Sequence, residues 1–247
     1  SLFENPVEVD IVPIKHINTD YAEYRPKLNA EENIMYFTSK RPGGSSDILD
    51  DQGEYYEDIY ISKKKMGVWT EPQLVNDLIN TTESSSCLYL SPDGEHMFLS
   101  MVNNDQKLGH LGRGIYEARL DGNHWNNPEF LDQKVNSKYW ETYASLDIYG
   151  NVLFFVSDRE GGYGGRDIWM IKKLPSGEWA EPQNLGEPIN TEYDEESPYL
   201  HPDGKTLYFS SKGHKVMGGF DIFKSILKDD YTWTSPENMG YPVNTVD

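Results

Sequence analysis

The sequence predicts an all-β protein, a β-propeller of four-stranded blades, and three observations support this fold class. Asn-Thr or Asn-Ser recurs along the 247-residue chain at spacings of 62, 56, 54 and 54 residues, and a fixed period of this length marks an array of one supersecondary unit. Each period holds four short apolar and aromatic segments bounded by turn residues. No window carries a convincing 3.6-residue apolar period, so almost no helix is expected. Four-stranded sheets in tandem pack around an axis as a propeller.

The repeat divides a single predicted domain, residues 1–247, into four complete repeats. These cover residues 18–79, 80–135, 136–189 and 190–243, and residues 244–247 begin a further one. In residues 1–17, Val7, Val9 and Ile11 alternate with acidic residues, which predicts an N-terminal strand. Two alternatives follow: this strand closes the ring by completing a blade, or the chain is part of a propeller of five or six blades.

Within each repeat, the elements follow in a fixed order. The innermost strand ends in a turn, Ser-Pro-Asp-Gly at 91–94 and His-Pro-Asp-Gly at 201–204, where Pro presets the first dihedral angle and Gly accepts a positive φ. After the second strand comes a glycine-rich loop, whose glycine pairs predict tight turns with positive φ. An Asp opens the third strand at Asp58, Asp167 and Asp221, and we expect it to bind backbone amides of that loop.

A Trp-x-x-Pro motif closes every repeat. We expect its ring to pack between blades, because it offers a large apolar surface, and stacking on sugars is the alternative. The four tryptophans are Trp69, Trp125, Trp179 and Trp233.

These motifs in this order resemble the WD40-like repeats of TolB-type propellers. They are most similar to the version in OmpA-family outer-membrane proteins of Gram-negative bacteria, and the resemblance covers about residues 16–245. It departs at residues 29–32, which lack Pro-Asp-Gly, and in the second repeat, which lacks the glycine pairs. The resemblance implies a periplasmic or outer-membrane-associated location. It also implies a module that binds a protein partner in a cell-envelope assembly, with links to secretion machinery in some members.

The charge of the chain limits its partners. Lys and Arg total 22 against 41 Asp and Glu, a formal charge of −19, which disfavours nucleic acid and anionic membrane and favours cationic partners or metal ions. No apolar run is long enough for direct membrane insertion. The single cysteine, Cys87, excludes an intrachain disulfide and is expected to be a packed residue of an innermost strand.

The longest insertion, residues 40–58, is rich in carboxylates. Hard oxygen ligands at short spacing can hold calcium, but the spacing here does not match an EF-hand loop. A solvated acidic loop is therefore the preferred interpretation, and no cofactor is expected. The acidic residues are Asp47, Asp50, Asp51, Glu54, Glu57 and Asp58.

The candidate binding site is a column of residues at the start of the innermost strands. Because these strands line the axial channel, their starts are expected to meet at one mouth and form an acidic, aromatic rim for a cation or a basic ligand. Alternatively, each Glu pairs locally with Arg25, Lys27, Lys138 or backbone amides. On the rim interpretation, replacing the glutamates changes binding and leaves stability nearly unaltered. The candidate residues are Tyr21, Glu23, Glu83, Tyr139, Glu141, Tyr193 and Glu195.

The motifs favour a non-catalytic binding module over an enzyme. The chain has no Ser-His-Asp signature and no His-Glu-x-x-His motif, and its six histidines show no metal-ligand spacing. The first alternative is a carbohydrate or peptidoglycan-binding domain that uses exposed Tyr and Trp. The second is a glycan-active enzyme in which paired carboxylates perform acid–base chemistry.

Overall fold

The computed structural model describes residues 8–46, 48–103 and 112–246, which contain eighteen β-strands and no helix. Within these ranges, no helix is long and apolar enough to cross a membrane. The chain forms two compact units, one of Val12–Leu131 and one of Ser1–Ile11 with Asp132–Asp247. Each unit contains two antiparallel sheets. The single-domain organisation stays a prediction.

The unit Val12–Leu131 contains blades 1 and 2. Each of these blades is a four-stranded antiparallel meander with one additional two-residue strand, which pairs with the end of the long third strand. Blade 1 consists of β1 (Glu23–Leu28), β2 (Ile34–Ser39), β3 (Asp58–Lys65), β4 (Val68–Trp69) and β5 (Gln73–Leu74). Blade 2 consists of β6 (Ser85–Leu90), β7 (His96–Asn103), β8 (Gly112–Asp121), β9 (His124–Trp125) and β10 (Glu129–Phe130).

The other unit contains blades 3 and 4, each a simple four-stranded meander. Blade 3 consists of β11 (Glu141–Leu146), β12 (Val152–Ser157), β13 (Asp167–Lys172) and β14 (Gln183–Asn184). Blade 4 consists of β15 (Glu195–Leu200), β16 (Thr206–Ser211), β17 (Asp221–Ile226) and β18 (Glu237–Asn238). The predicted all-β class with four propeller blades is therefore confirmed.

The predicted N-terminal strand is wrong for the part of it that the structure describes. Residues 8–14 belong to no strand, and Val9, Ile11 and Val12 are exposed. Because these apolar side chains are exposed, the short alternation of apolar and acidic residues buries no face and does not produce a strand. Val7 lies outside the described residues.

The turns follow the predicted chemistry. Gly94, Gly150 and Gly204 take φ angles of 76°, 70° and 70°. In blade 1, whose turn has no glycine, Glu32 takes this conformation with a φ of 52°, which disfavours most side chains. The turn of blade 1, although it lacks the Pro-Asp-Gly sequence, therefore also ends in a residue with positive φ, as the other three turns do.

The tryptophans are less uniform than predicted. Trp125 is buried, and its indole N–H donates to the Tyr36 hydroxyl at 3.3 Å, so the predicted packing is confirmed there. Trp179 is only half-buried, and the Lys173 ammonium lies 5.4 Å from its ring centroid.

The side chain of the recurring Asn forms hydrogen bonds with the backbone of the third strand in the preceding blade. Asn190 accepts a hydrogen bond from the Ile168 amide and donates to the Ile168 carbonyl, both at 2.9 Å. The Asn190 side-chain amide therefore forms the same pair of hydrogen bonds with β13 that a neighbouring strand would form, and both bonds are buried. The same pair of bonds joins Asn80 to Ile59 and Asn244 to Ile222.

Candidate functional site

The residue after the recurring Asn binds the predicted column of glutamates. In blade 4, the Thr191 amide and hydroxyl donate to the Glu195 carboxylate at 2.9 and 2.7 Å, and the Ser211 hydroxyl donates at 2.7 Å. Each carboxylate is thus satisfied by its own blade and the segment that leads into it. The same three bonds join Thr19 and Ser39 to Glu23, and Ser137 and Ser157 to Glu141.

In blade 3, an arginine completes this arrangement. Arg159 donates to Glu141 at 3.0 Å and to the carbonyl of Val135 at 2.7 Å, and its guanidinium lies over the rings of Phe155 and Trp169. Glu141 is only 1% exposed, so a buried carboxylate meets a charge-assisted donor. Arg41 makes the corresponding ion pair with Glu23 in blade 1, at 3.2 Å.

The structure therefore provides local partners for these glutamates. Backbone amides are among them, as the local-pairing alternative proposed, whereas the hydroxyl and arginine partners are ones that the sequence did not indicate. Of the other candidates, Tyr21, Tyr193 and Glu83 are exposed and Tyr139 is half-buried. A role for this column in partner binding stays a prediction.

Blade 4 has no arginine at this position. Gly213 replaces it, since its amide donates to Ser211 at 2.9 Å as the Arg159 amide donates to Ser157 at 3.1 Å. A Cβ at Gly213 would lie 1.8 Å from the Thr191 hydroxyl oxygen, so a side chain does not fit without a shift. The imidazole of His214 takes over one contact and donates from Nε2 to the Ile189 carbonyl at 2.9 Å.

The carboxyl groups of blades 1 and 4 differ in the direction of their pKa shifts. Burial raises the pKa of Glu195 above 4.5, although hydrogen bonds from Thr191 and Ser211 act against it. Burial acts in the same direction on Glu23, but the bonds from Thr19 and Ser39 and the charge of Arg41 outweigh it and lower that pKa. Glu195 is therefore the carboxyl group of the pair that more readily holds a proton.

A cleft of about 460 Å³ lies beside Gly213 and is lined by residues of both blade 3 and blade 4. The rings of Tyr163 and Tyr193 line it, and each of these residues is 52% exposed. Glu187 and Glu192 supply two exposed carboxylates, and no Lys or Arg is among the lining residues. The lining is completed by Pro188, Asn190, Thr191, Gly213 and His214.

The glycine-rich loop holds the cleft in shape. The Tyr163 amide donates to the Asp167 carboxylate at 2.5 Å, as predicted for this Asp. A Cβ on Gly162 would lie 2.1 Å from that carboxylate, and one on Gly164 would lie 2.3 Å from the Glu192 backbone. Only Gly161 of the two pairs has a positive φ, so close approach explains Gly162 and Gly164 better than the predicted positive φ.

An ion-pair network fixes the chain next to Tyr193. Arg166 donates to Asp194 at 3.1 Å and pairs with Glu196 at 2.6 Å, and the Tyr143 hydroxyl donates to Glu196 at 3.0 Å. The bonds from Arg166 hold the pKa of Asp194 well below its usual range. Asp194 and Glu196 are thereby engaged by protein groups, whereas Glu187 and Glu192 are exposed residues of the cleft lining.

The acidic insertion does not present a metal site in the part of the chain that the structure describes. No group of three or more His, Cys, Asp or Glu residues there could hold a metal ion. The Asp50 carboxylate accepts bonds from the Gln52 and Glu54 amides, and Asp58 binds Ser45. Asp47 lies outside the described residues.

Known proteins share the fold of this chain, but no sequence family was found for it. No protein-family model and no curated protein sequence matches the chain. The GH93 alpha-L-arabinofuranosidase of Fusarium graminearum, in complex with arabinobiose, has a TM-score of 0.51 at 13% identity. A mutant of that type of enzyme with an iminosugar inhibitor has a TM-score of 0.53, also at 13% identity. In both cases the alignment covers 91% of this chain and 68% of the other.

A post-proline cleaving enzyme from Rickettsia typhi is also similar, with 10% identity and a TM-score of 0.45. The alignment covers 89% of this chain but 28% of that enzyme. Likenesses at these identities show the fold alone.

These neighbours correct the expectation of a non-catalytic protein-binding scaffold that is not an enzyme. The fold is shared with proteins named for cleaving arabinofuranosides, so the repeat pattern gives no reason to exclude catalysis. The expectation rested on missing Ser-His-Asp and His-Glu-x-x-His motifs, and glycoside hydrolysis by two carboxyl groups needs neither.

Proposed function

We propose that this chain is a glycan-active enzyme that binds carbohydrate in the cleft between blades 3 and 4. The observation that carries the proposal is the pairing of two exposed tyrosine rings with two exposed carboxylates on one concave surface of about 460 Å³. Ligand sites in proteins are concave and apolar, with a few polar groups that orient the ligand. Tyr163 and Tyr193 provide the ring surfaces, and Glu187 and Glu192 provide acceptors for sugar hydroxyls.

The same two carboxyl groups are the candidates for chemistry. In glycoside hydrolysis, one carboxylic acid protonates the leaving oxygen, and a second carboxylate acts as nucleophile or activates water. Glu187 and Glu192 both line the cleft. We assign them this paired role without choosing which is the acid.

The charge of the cleft limits the substrate class. With two carboxylates and no Lys or Arg in its lining, the cleft suits neutral or amino sugars and disfavours uronic acids, whose carboxylates would be repelled. The names of the arabinofuranosidases support neutral arabinosides as the first substrates to test.

The finer resemblance, to TolB-type propellers of the OmpA family, remains part of the proposal. Its support is the motif order of the repeats. It would place the chain in the periplasm or at the outer membrane, where peptidoglycan is the glycan within reach. Peptidoglycan fragments are therefore the second substrate class.

The test measures binding and cleavage separately. The chain is titrated with arabinobiose and with peptidoglycan fragments by calorimetry, and the mixtures are then analysed for products by chromatography. We expect Tyr163→Ala with Tyr193→Ala to weaken binding about tenfold or more, equivalent to about 1.4 kcal/mol. Glu187→Gln and Glu192→Gln should each abolish cleavage while binding remains.

The matched control is Tyr231→Ala, which removes a tyrosine that is 85% exposed and lies outside the cleft lining. It should change neither readout. Binding without cleavage by the unaltered chain would reject the enzyme and keep a carbohydrate-binding domain. Equal binding by the double tyrosine variant and the unaltered chain would reject the cleft as the site.

A further inference from the structure

An exposed tryptophan of blade 3, Trp140, has no counterpart in the other repeats. It stands directly before Glu141, and the residue at this position of the other repeats is Ala22, Ser84 or Asp194. The indole is 45% exposed, so the fold of a blade does not require so large a ring here. A single exposed apolar residue needs no explanation by itself. What distinguishes Trp140 is its contact with a residue that also holds the segment beside the cleft.

Arg166 joins the indole to this cleft-lining segment. Its guanidinium carbon lies 4.9 Å from the centroid of the Trp140 ring, which is a cation–π contact. The same guanidinium donates to the Asp194 carboxylate at 3.1 Å. The preceding residue, Tyr193, lines the cleft and is 52% exposed. One side chain therefore lies between the Trp140 ring and the chain that carries a tyrosine of the cleft.

Both aromatic residues project from backbone that is held by hydrogen bonds. The Tyr193 carbonyl accepts from the Gly165 amide at 3.3 Å. The Trp140 amide donates to the Asp158 carboxylate at 2.9 Å. A ligand that contacts both rings therefore does not have to order these segments, which lowers the entropic cost of binding.

The charged groups around Arg166 balance one another. Arg166 pairs with Asp194 and Glu196, and the Lys212 ammonium donates to Asp194 at 3.0 Å. Two cations thus face two carboxylates, and the surface between Trp140 and the cleft offers polar groups without a net charge. Such a surface neither attracts nor repels a ligand by its charge, so it suits an uncharged chain of sugar rings.

We propose that Trp140 forms a second sugar-binding subsite, which a glycan longer than a disaccharide reaches from the cleft across Arg166 and Asp194. The indole offers a large apolar surface with a polar N–H, and a sugar ring has both an apolar face and hydroxyl groups. This subsite rests on the proposed function, since the glycan must also bind in the cleft. It specifies oligosaccharides as the preferred ligands.

The experiment compares short and long glycans by calorimetric titration of the unaltered chain and of Trp140→Ala. The first pair of ligands is arabinobiose and arabinohexaose, and the second is a disaccharide and a tetrasaccharide from peptidoglycan strands. In the pair that binds, Trp140→Ala should weaken the long ligand about tenfold and leave the short one unchanged. A long chain offers more binding positions to both proteins, so the comparison with the variant removes that statistical effect.

Two further variants separate a sugar contact from a structural effect. Trp140→Tyr keeps an aromatic ring and should retain most of the affinity for the long ligand. The matched control is Tyr149→Ala, which removes a 76% exposed tyrosine of blade 3 outside the cleft lining and should change neither affinity. Both Trp140 variants should melt close to the unaltered chain, because other repeats have Ala, Ser or Asp at this position.

Equal affinity of Trp140→Ala and the unaltered chain for the long ligand would overturn the subsite and leave the proposed function in place. So would an equal loss for both lengths, which would mean that Trp140 acts on the cleft through Arg166 and does not itself bind sugar. If none of the four glycans binds, the proposed function and the subsite are both rejected.

Discussion

Blades 3 and 4 have the same strand plan but differ at one position next to the glutamate column. In blade 3, Arg159 fills this position and pairs with Glu141. In blade 4, Gly213 leaves it without a side chain, and His214 makes one of the backbone contacts that the arginine makes in blade 3. A cleft lined by two tyrosines and two exposed glutamates lies there instead.

The difference shows how a repeat acquires a site without changing its framework. The Asn, Thr or Ser, Glu and second-strand Ser are all kept, and their bonds have nearly the same lengths in the two blades. The residue two positions after the second-strand Ser changes from Arg159 to Gly213, and Glu195 nevertheless stays as buried as Glu141. The framework therefore holds the backbone in place, while the residue at this position decides whether there is room for a ligand beside it.

The largest effect expected from this difference is on stability. Glu141→Gln should lower the free energy of unfolding by about 3–5 kcal/mol, because it leaves Arg159 without its buried partner. Glu195→Gln should cost about 1 kcal/mol, since the amide oxygen can accept from the Thr191 amide while its NH2 donates to the Thr191 and Ser211 hydroxyls, and no arginine is left unpaired. Urea denaturation of both variants measures the two losses.

Equal losses in the two variants would mean that the arginine does not distinguish the blades. The result also bears on the sequence-based expectation that these glutamates are dispensable for folding. Their burial, 1% exposed for Glu141 and 0% for Glu195, leads us to expect the opposite.

A smaller effect is expected from filling the space at Gly213. Gly213→Ala places a Cβ against the Thr191 hydroxyl and should cost about 1–3 kcal/mol through strain. It should also weaken glycan binding, because Thr191 lines the cleft. Unfolding by urea and calorimetric titration with arabinobiose provide the two readouts.

The control for this substitution is Gly219→Ala, where an added Cβ meets no atom within 4 Å. It should be nearly neutral in both measurements. Unchanged stability of Gly213→Ala would show that the loop adjusts freely and that glycine is not required there.

The smallest effect is the pH dependence of stability. Because the folded-state pKa of Glu195 is raised above 4.5, its contribution is complete below about pH 4.5 and is lost as the pH rises through the raised pKa. Glu23 has a lowered pKa, so its contribution is present above pH 4.5 and is lost as the pH falls through the lowered pKa.

Urea denaturation from pH 3 to pH 8 tests this contrast with Glu195→Gln and Glu23→Gln. The difference between the unaltered chain and Glu195→Gln should shrink with rising pH, and the difference for Glu23→Gln should shrink with falling pH. The same slope in both would contradict the opposite pKa shifts of the two carboxyl groups.

The sequence predicted the strands, the turns and the role of the third-strand Asp because these depend on neighbouring residues. Positions such as Gly94 and Asp167 act within a few residues of themselves. The ion pair between Arg159 and Glu141 was not predicted because these residues are 18 positions apart in the sequence. The cleft was not predicted either, because the only sequence feature that marks it is Gly213, which stands where the preceding repeat has Arg159.

Counting residues in the repeat located the glutamates but not the direction of their side chains. Glu23, Glu141 and Glu195 start their strands as predicted. Their carboxylates bind Thr or Ser four residues earlier, a contact that the repeat pattern alone does not distinguish from a shared rim. Tyr193 of the cleft was among the candidates from the sequence, whereas Tyr163, Glu187 and Glu192 could be recognised only from the cleft.

The recurring Asn-Thr pair has a consequence for the modularity of the chain. Asn190 completes blade 3 through Ile168, whereas the next residue, Thr191, binds Glu195 of blade 4. The boundary between two modules therefore falls at a single peptide bond inside the motif. If a blade is moved together with the Asn that precedes it, the preceding blade loses the hydrogen bonds of that Asn to its third strand. Exchange of a blade should therefore succeed only when the blade keeps the Asn that follows it.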